Sequence, residues 1–243
     1  MTKKSTDDRK DNKLFAKITN VFSSIQGEGP FVGFKQIFIR FAECNLSCVF
    51  CDTCKTVEHI YTHEELVKKI QEIDETNRPH HSISLTGGEP LFQYEFLEGF
   101  LPKAKKEFNL GIYLETNGIF YNALEKIIKH IDIISMDFKL PSATKEKEYW
   151  KEHEKFLEVA VRKKVFVKLV ITADVAMKDI EKSVDIVNKI NKNITVVVQP
   201  AAKTPTFLNV PDTEFLLNIF NYVHDKIKNA RLIPQVHKII PVI

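Results

Sequence analysis

Short runs rich in β-branched and aromatic residues recur at 36–42, 82–86, 111–116, 132–138, 165–171, 195–200 and 230–234, and a longer segment with apolar residues three and four apart separates each from the next. Those helical segments lie at 62–73, 93–108, 122–130, 145–161, 177–190 and 211–227. Thr62 caps the first, with Glu in its first turn, and Pro211 opens the last. Such alternation leaves few solutions, because parallel neighbours need a right-handed crossover of roughly a dozen or more residues. The predicted class is α/β, as an open parallel sheet or a full or partial (β/α) barrel.

Nothing divides the pattern into two units. Residues 1–13, MTKKSTDDRKDNK, are polar and aperiodic and are expected to form a flexible tail, with one domain over 14–243. Basic and acidic residues nearly cancel, 35 against 32, which argues against a nucleic-acid or membrane-surface role and leaves small anions as candidate ligands. No apolar run approaches the ~20 residues of a membrane span, and the N-terminus has no hydrophobic segment to serve as a signal. A cytoplasmic protein is expected, in which clustered cysteines are more often metal ligands or redox groups than disulfides.

In parallel α/β architectures chemistry collects where strands end and loops begin. The unusual residues obey this rule. CNLSCVFCDTC (44–54) follows the first of the runs, TGGEP (86–90) closes the second, ETNG (115–118) the third, DFK (137–139) the fourth and QP (199–200) the sixth. Five such ends on one rim predict a ring-shaped site.

All four cysteines lie in the first of these loops. Cys44, Cys48 and Cys51 have the spacing C-x3-C-x2-C, while Cys48, Cys51 and Cys54 make a C-x2-C-x2-C run of ferredoxin type. Three thiolates on a [4Fe–4S] cluster leave one iron open, whereas four on zinc close the site. Arg40 is informative in a different way. It sits inside an apolar strand, where an unpartnered guanidinium is costly, so it demands an anionic ligand or a buried carboxylate.

C-x3-C-x2-C after the first strand, with aromatic Phe50 before its last cysteine and Gly87-Gly88-Glu89-Pro90 after the second strand, resembles the radical S-adenosylmethionine (SAM) superfamily. The resemblance implies a partial (β/α)6-type barrel and a cluster on Cys44, Cys48 and Cys51 whose open iron takes SAM. Within the superfamily, Gln26-Gly27-Glu28-Gly29, an arginine four residues before the first cysteine, and CNLxCxxCDT resemble the 7-carboxy-7-deazaguanine synthase family, a likeness running from about residue 17 to 239. That family implies a lyase acting on 6-carboxy-5,6,7,8-tetrahydropterin, with an N-terminal substrate-binding extension to the barrel.

Carried over by motif, Ile25, Gln26, Gly27, Glu28, Arg40, Thr86 and His237 would meet substrate, Arg40 through its carboxylate and Glu28 through its guanidine-like edge. Thr53 would hold Mg²⁺. SAM would rest on Phe50, Asp52, Gly88, Glu89, Ser135, Met136, Asp137, Lys139 and Gln199, with the Glu89 carboxylate accepting from the methionine ammonium. A flavodoxin- or ferredoxin-type reductant and a homodimer, supported by the apolar ending PVI, are implied partners. Two other assignments compete: a glycyl-radical activating enzyme, and a non-catalytic zinc or iron–sulfur protein. Cys54 lies outside the family motif and is expected to be a bystander. The charged stretch 140–156 is expected to be a solvated helix or a partner face.

Overall fold

The computed structural model describes residues 15–53 and 55–240; the expectations for 1–13, Cys54 and the final PVI fall outside them. Nine strands form one open sheet: β1 (Phe15–Ile25), β2 (Lys35–Phe41), β3 (His59–Thr62), β4 (Ser82–Gly87), β5 (Gly111–Thr116), β6 (Ile133–Phe138), β7 (Lys164–Ile171), β8 (Thr195–Pro200) and β9 (Ala230–Leu232). Their order is β3-β1-β2-β4-β5-β6-β7-β8-β9. Every pair from β2 to β9 is parallel, while β1 runs antiparallel to both β2 and β3.

The helices are α1 (His63–Asn77), α2 (Tyr94–Glu107), α3 (Tyr121–Ile127), the single turn α4 (Pro141–Thr144), α5 (Trp150–Ala160), α6 (Met177–Asn191) and α7 (Thr213–Lys226). Thr62 and Glu65 close a reciprocal capping box at the start of α1. Among the described residues no helix is long and apolar enough to cross a membrane.

β1 and β3 carry no clear signal in the sequence. β1 has only three fully buried residues, and β3 has none. The charged stretch after β6 also differs from expectation. Lys145, in a left-handed conformation, stops α4, and α5 starts only at Trp150. One face of α5 buries His153, Phe156, Leu157, Val159 and Ala160. His153 stacks on Phe138 with ring centroids 4.9 Å apart. Burial pushes its imidazole down to about 3, so it stays neutral.

Strand side chains alternate between two faces. Outward positions such as Ile39, Leu85, Leu114, Ile134, Leu169 and Val198 join the large core with the helices. Inward positions form two tiers. Tyr113, Ile133, Phe166 and Val197 make an apolar floor with Phe31, which arrives from the β1–β2 loop. Further along the same face of six strands stand Arg40, Thr86, Glu115, Asp137, Lys168 and Gln199, a polar tier above that floor, with Glu115, Lys168 and Gln199 two residues beyond floor positions and Asp137 four beyond Ile133. Phe31 meets Tyr113 edge-on at 5.5 Å and Phe166 at 6.3 Å. Phe166→Ala is expected to cost about 3–5 kcal/mol in urea unfolding, because the rigid strands cannot close the void.

Candidate active site

The cysteine loop begins where β2 leaves the sheet. Glu43 takes a φ of 67°, a left-handed conformation uncommon outside glycine. It is held there from three sides. Its carboxylate meets Lys17 Nζ at 2.9 Å, its carbonyl accepts from Glu89 N at 2.9 Å, and its N–H reaches the Lys55 carbonyl. Gly88 donates to the Phe41 carbonyl at 2.8 Å. A Cβ at Gly88 would lie 1.7 Å from the Glu43 oxygen. The glycine pair thus lets the end of β4 press against the root of the cysteine loop. The close approach at Gly88 is backbone to backbone.

Cys44, Cys48 and Cys51 line one pocket at the mouth of the barrel. Phe50, Asp52, Thr53, Gly88, Asp137, Lys139 and Gln199 line it with them. Burial pushes the Cys44 and Cys48 thiols up. Among the described residues no three His, Cys, Asp or Glu side chains close on a point as they would around a single ion. One buried acceptor lining the same space has no partner among the described residues, Gln199 Oε1. Three thiols in one wall and that uncommitted acceptor opposite suit a polynuclear cluster beside a donor-rich cofactor.

A second pocket adjoins the first, and Ile25, Gln26, Gly27, Glu28, Arg40, Thr86 and His237 all line it. Glu28, Asp52, Thr53, Thr86, Glu115 and Gln235 line both and form the shared wall. Half-buried Arg40 lies over the Phe22 ring at 5.5 Å. Among the described residues it forms no ion pair, so its guanidinium is available to an anion. The C-terminal segment closes this pocket. Val236 donates to the Gly27 carbonyl at 2.9 Å, and Lys238 pairs with Asp52.

Between the pockets runs a chain of buried charge. Lys168 Nζ pairs with Glu28 and lies 3.0 Å from Asp137 Oδ1, while Lys139 holds the other Asp137 oxygen at 2.9 Å. Burial works against the Glu28 charge, but Lys168 and the hydrogen bond from Gln235 outweigh it and hold the carboxyl down to about 2. The same contest at Asp137 is won by Lys139 and Lys168, which keep it below the usual carboxylate range. Burial pushes Glu115 up, over the opposing pull of Lys168.

Some expected roles are relocated. Ser135 lies one tier below Asp137 and bonds Tyr113, and Met136 points outward into the helix-side core. Three consecutive strand residues cannot face one ligand when side chains alternate. Glu89 is fully buried and absent from the pocket lining. Its oxygens accept from Leu91 N at 3.0 Å, Thr116 Oγ1 at 2.8 Å and Asn117 N at 2.7 Å, so the carboxylate clips two strand ends together rather than facing the cavity. Gln26 lines the substrate-side pocket, yet its amide is spent internally, donating to Gln36 and Glu115 and accepting from Glu28 N.

Lys168, Glu115 and Gln235 had no assigned role. Lys168 carried the same signal as Arg40, a lone charge in an apolar strand.

The radical SAM superfamily model matches residues 38–198. A 7-carboxy-7-deazaguanine synthase of Geobacter sulfurreducens is 33% identical, the match covering 93% of this chain and 98% of that protein. One from Clostridium acetobutylicum is also 33% identical, over 92% of this chain and 95% of the relative. The crystal structure of QueE from Escherichia coli has the same fold, with a TM-score of 0.62 at 18% identity, covering 96% of this chain and 100% of that one. Neither competing assignment predicts full-length likeness of this kind. With its thiol-lined pocket, its glycine-fused loop and these relatives, the chain belongs to the radical SAM superfamily and, within it, to the 7-carboxy-7-deazaguanine synthase family.

Proposed function

We propose that the chain converts 6-carboxy-5,6,7,8-tetrahydropterin to 7-carboxy-7-deazaguanine with release of ammonia, as a radical SAM lyase on the route to deazapurines such as queuosine. The observation that carries this is the pairing of two pockets through one polar wall: thiols line the first, and an unpaired guanidinium lines the second. Cys44, Cys48 and Cys51 would hold a [4Fe–4S] cluster, with SAM against Phe50, Asp52, Gly88, Asp137, Lys139 and Gln199. A cluster and SAM held there would supply one-electron reduction and radical chemistry.

The chain's own task is to bind, orient and exclude water. Arg40 takes the substrate carboxylate in a planar fork. Glu28, ionised at neutral pH, accepts from the donor edge of the pterin. Thr53 would offer its hydroxyl to a Mg²⁺, since Mg²⁺ is satisfied by few protein oxygens plus substrate and water. Its position in both pocket linings supports that role. We further propose a single domain over 14–243, a flavodoxin- or ferredoxin-type reductant, a cytoplasmic setting that keeps the thiols reduced, and a homodimer. Ile239 and Ile240, exposed at 69% and 55% near the C-terminus, support the dimer.

Turnover with the pterin, SAM, Mg²⁺ and a reductant tests the assignment. Formation of 5′-deoxyadenosine without the deazaguanine would remove the substrate while leaving the cofactor chemistry. Arg40→Ala is expected to raise the substrate KM about 100-fold, with Arg40→Lys in between, because a desolvated charge pair loses one partner.

A further inference from the structure

We propose that Lys168 is a positioning residue that organises both pockets with one charge: its ammonium holds the Glu28 carboxylate toward the substrate side and the Asp137 carboxylate toward the cofactor side. This rests on the proposed function. Lys168 stands in the polar tier of β7 with its side chain 5% exposed, and its reach joins β7 to β6 and to the loop after β1. Among the described residues Glu28 has no other cation in an ion pair. Gln235 Nε2 supports its second oxygen at 2.7 Å, and Gln26 Oε1 takes its backbone N–H at 3.0 Å.

Asp137, by contrast, keeps Lys139 when Lys168 is removed. Loss of Lys168 therefore strands one carboxylate, on the substrate side. A buried carboxylate without its counter-charge either turns away or takes up a proton, and both spoil an acceptor. The charged groups facing this pair are Glu115 from β5, Lys139 beyond Asp137, and His237 from the C-terminal turn.

The test compares the full-length parent, Lys168→Met, Lys168→Arg and the double variant Glu28→Gln/Lys168→Met, each with reconstituted cluster. In Lys168→Met the pterin KM is expected to rise about tenfold or more near pH 8, with kcat and the SAM KM within about threefold of the parent. Between about pH 8 and about pH 6 that KM should climb further, because the unpaired Glu28 carboxyl titrates upward into the window. In the parent its charge persists far below that window. Lys168→Arg should restore most of the loss. A pterin KM unchanged in Lys168→Met, or an equal and pH-independent fall in every parameter, would overturn the proposal.

Thermal melting of the reconstituted, cluster-loaded protein supplies a readout that does not depend on the substrate. In Lys168→Met the Glu28 pKa is raised above its unfolded value, so stability is fully present below that unfolded value and falls as pH rises through the folded pKa. The melting gap to the parent should widen from about pH 5 to about pH 8, and the double variant, in which only Glu115 still responds to the loss of Lys168, should widen less. A gap that is flat with pH in Lys168→Met would overturn the pairing. If the parent itself does not turn over the pterin, the proposed function fails, while the melting curves still judge Lys168 and Glu28.

Discussion

Alanine at Cys44, Cys48 or Cys51 is expected to abolish cluster assembly and reduce turnover to below about one per cent of the parent, since each removes one of three ligands that no neighbour replaces. Iron and sulfide content after anaerobic reconstitution is the direct measure. Electron paramagnetic resonance of the reduced parent, with and without SAM, is the companion. A parent spectrum that changes on adding SAM marks an iron open to the cofactor. Cys54→Ala should retain full cluster content. Were it to lose the cluster while Cys44→Ala kept it, the C-x2-C-x2-C triplet would be the ligand set. The prediction separates two spacings that share Cys48 and Cys51.

Gly88→Ala should be nearly as damaging, for a different reason. Its Cβ would sit 1.7 Å from the Glu43 oxygen and 2.5 Å from the carbonyl carbon, both backbone atoms that cannot rotate aside. Relief requires β4 and the cysteine loop to part, breaking the bonds from Gly88 to Phe41 and from Glu89 to Glu43. A cost of about 3–5 kcal/mol in urea unfolding is expected, with cluster content falling in parallel. Gly33→Ala is the control. Gly33 has a φ of +92° and nothing within 4 Å of an added Cβ, so it isolates the conformational term, about 1 kcal/mol, from the steric one. Equal losses in the two variants would show that the contact with the cysteine loop is not what matters at Gly88.

The parallel frame was legible because β2 and the strands from β4 to β8 are apolar runs, each separated from the next by an amphipathic helix. β1 and β3 were not, since they are partly exposed and alternate weakly. The cysteine and glycine motifs identified one wall of the site, and the QGEG segment with Arg40 located the second pocket. What the motifs blurred was direction. A motif names consecutive residues, whereas a strand presents only every second one, so Asp137 faces the cavity and Met136 does not. Glu89 shows the opposite limit: spacing placed it correctly at the rim, but only the donors around it reveal that its carboxylate is engaged. Lys168 was visible all along as a single charge in VFVKLVI, and its partner Glu28 lies 140 residues away, a pairing that no local pattern encodes.

The floor of Phe31, Tyr113, Ile133, Phe166 and Val197 has a consequence for where side reactions originate. It stoppers the sheet from beneath, so solvent, oxygen and reactants are barred on that side and the mouth becomes the guarded approach. Control over leakage thus passes from the barrel to the few segments that frame that mouth, the cysteine loop and the C-terminal turn bearing Gln235 and His237. Loosening Phe166 would open a back door, and the expected symptom is SAM consumed without product, not a weaker grip on substrate.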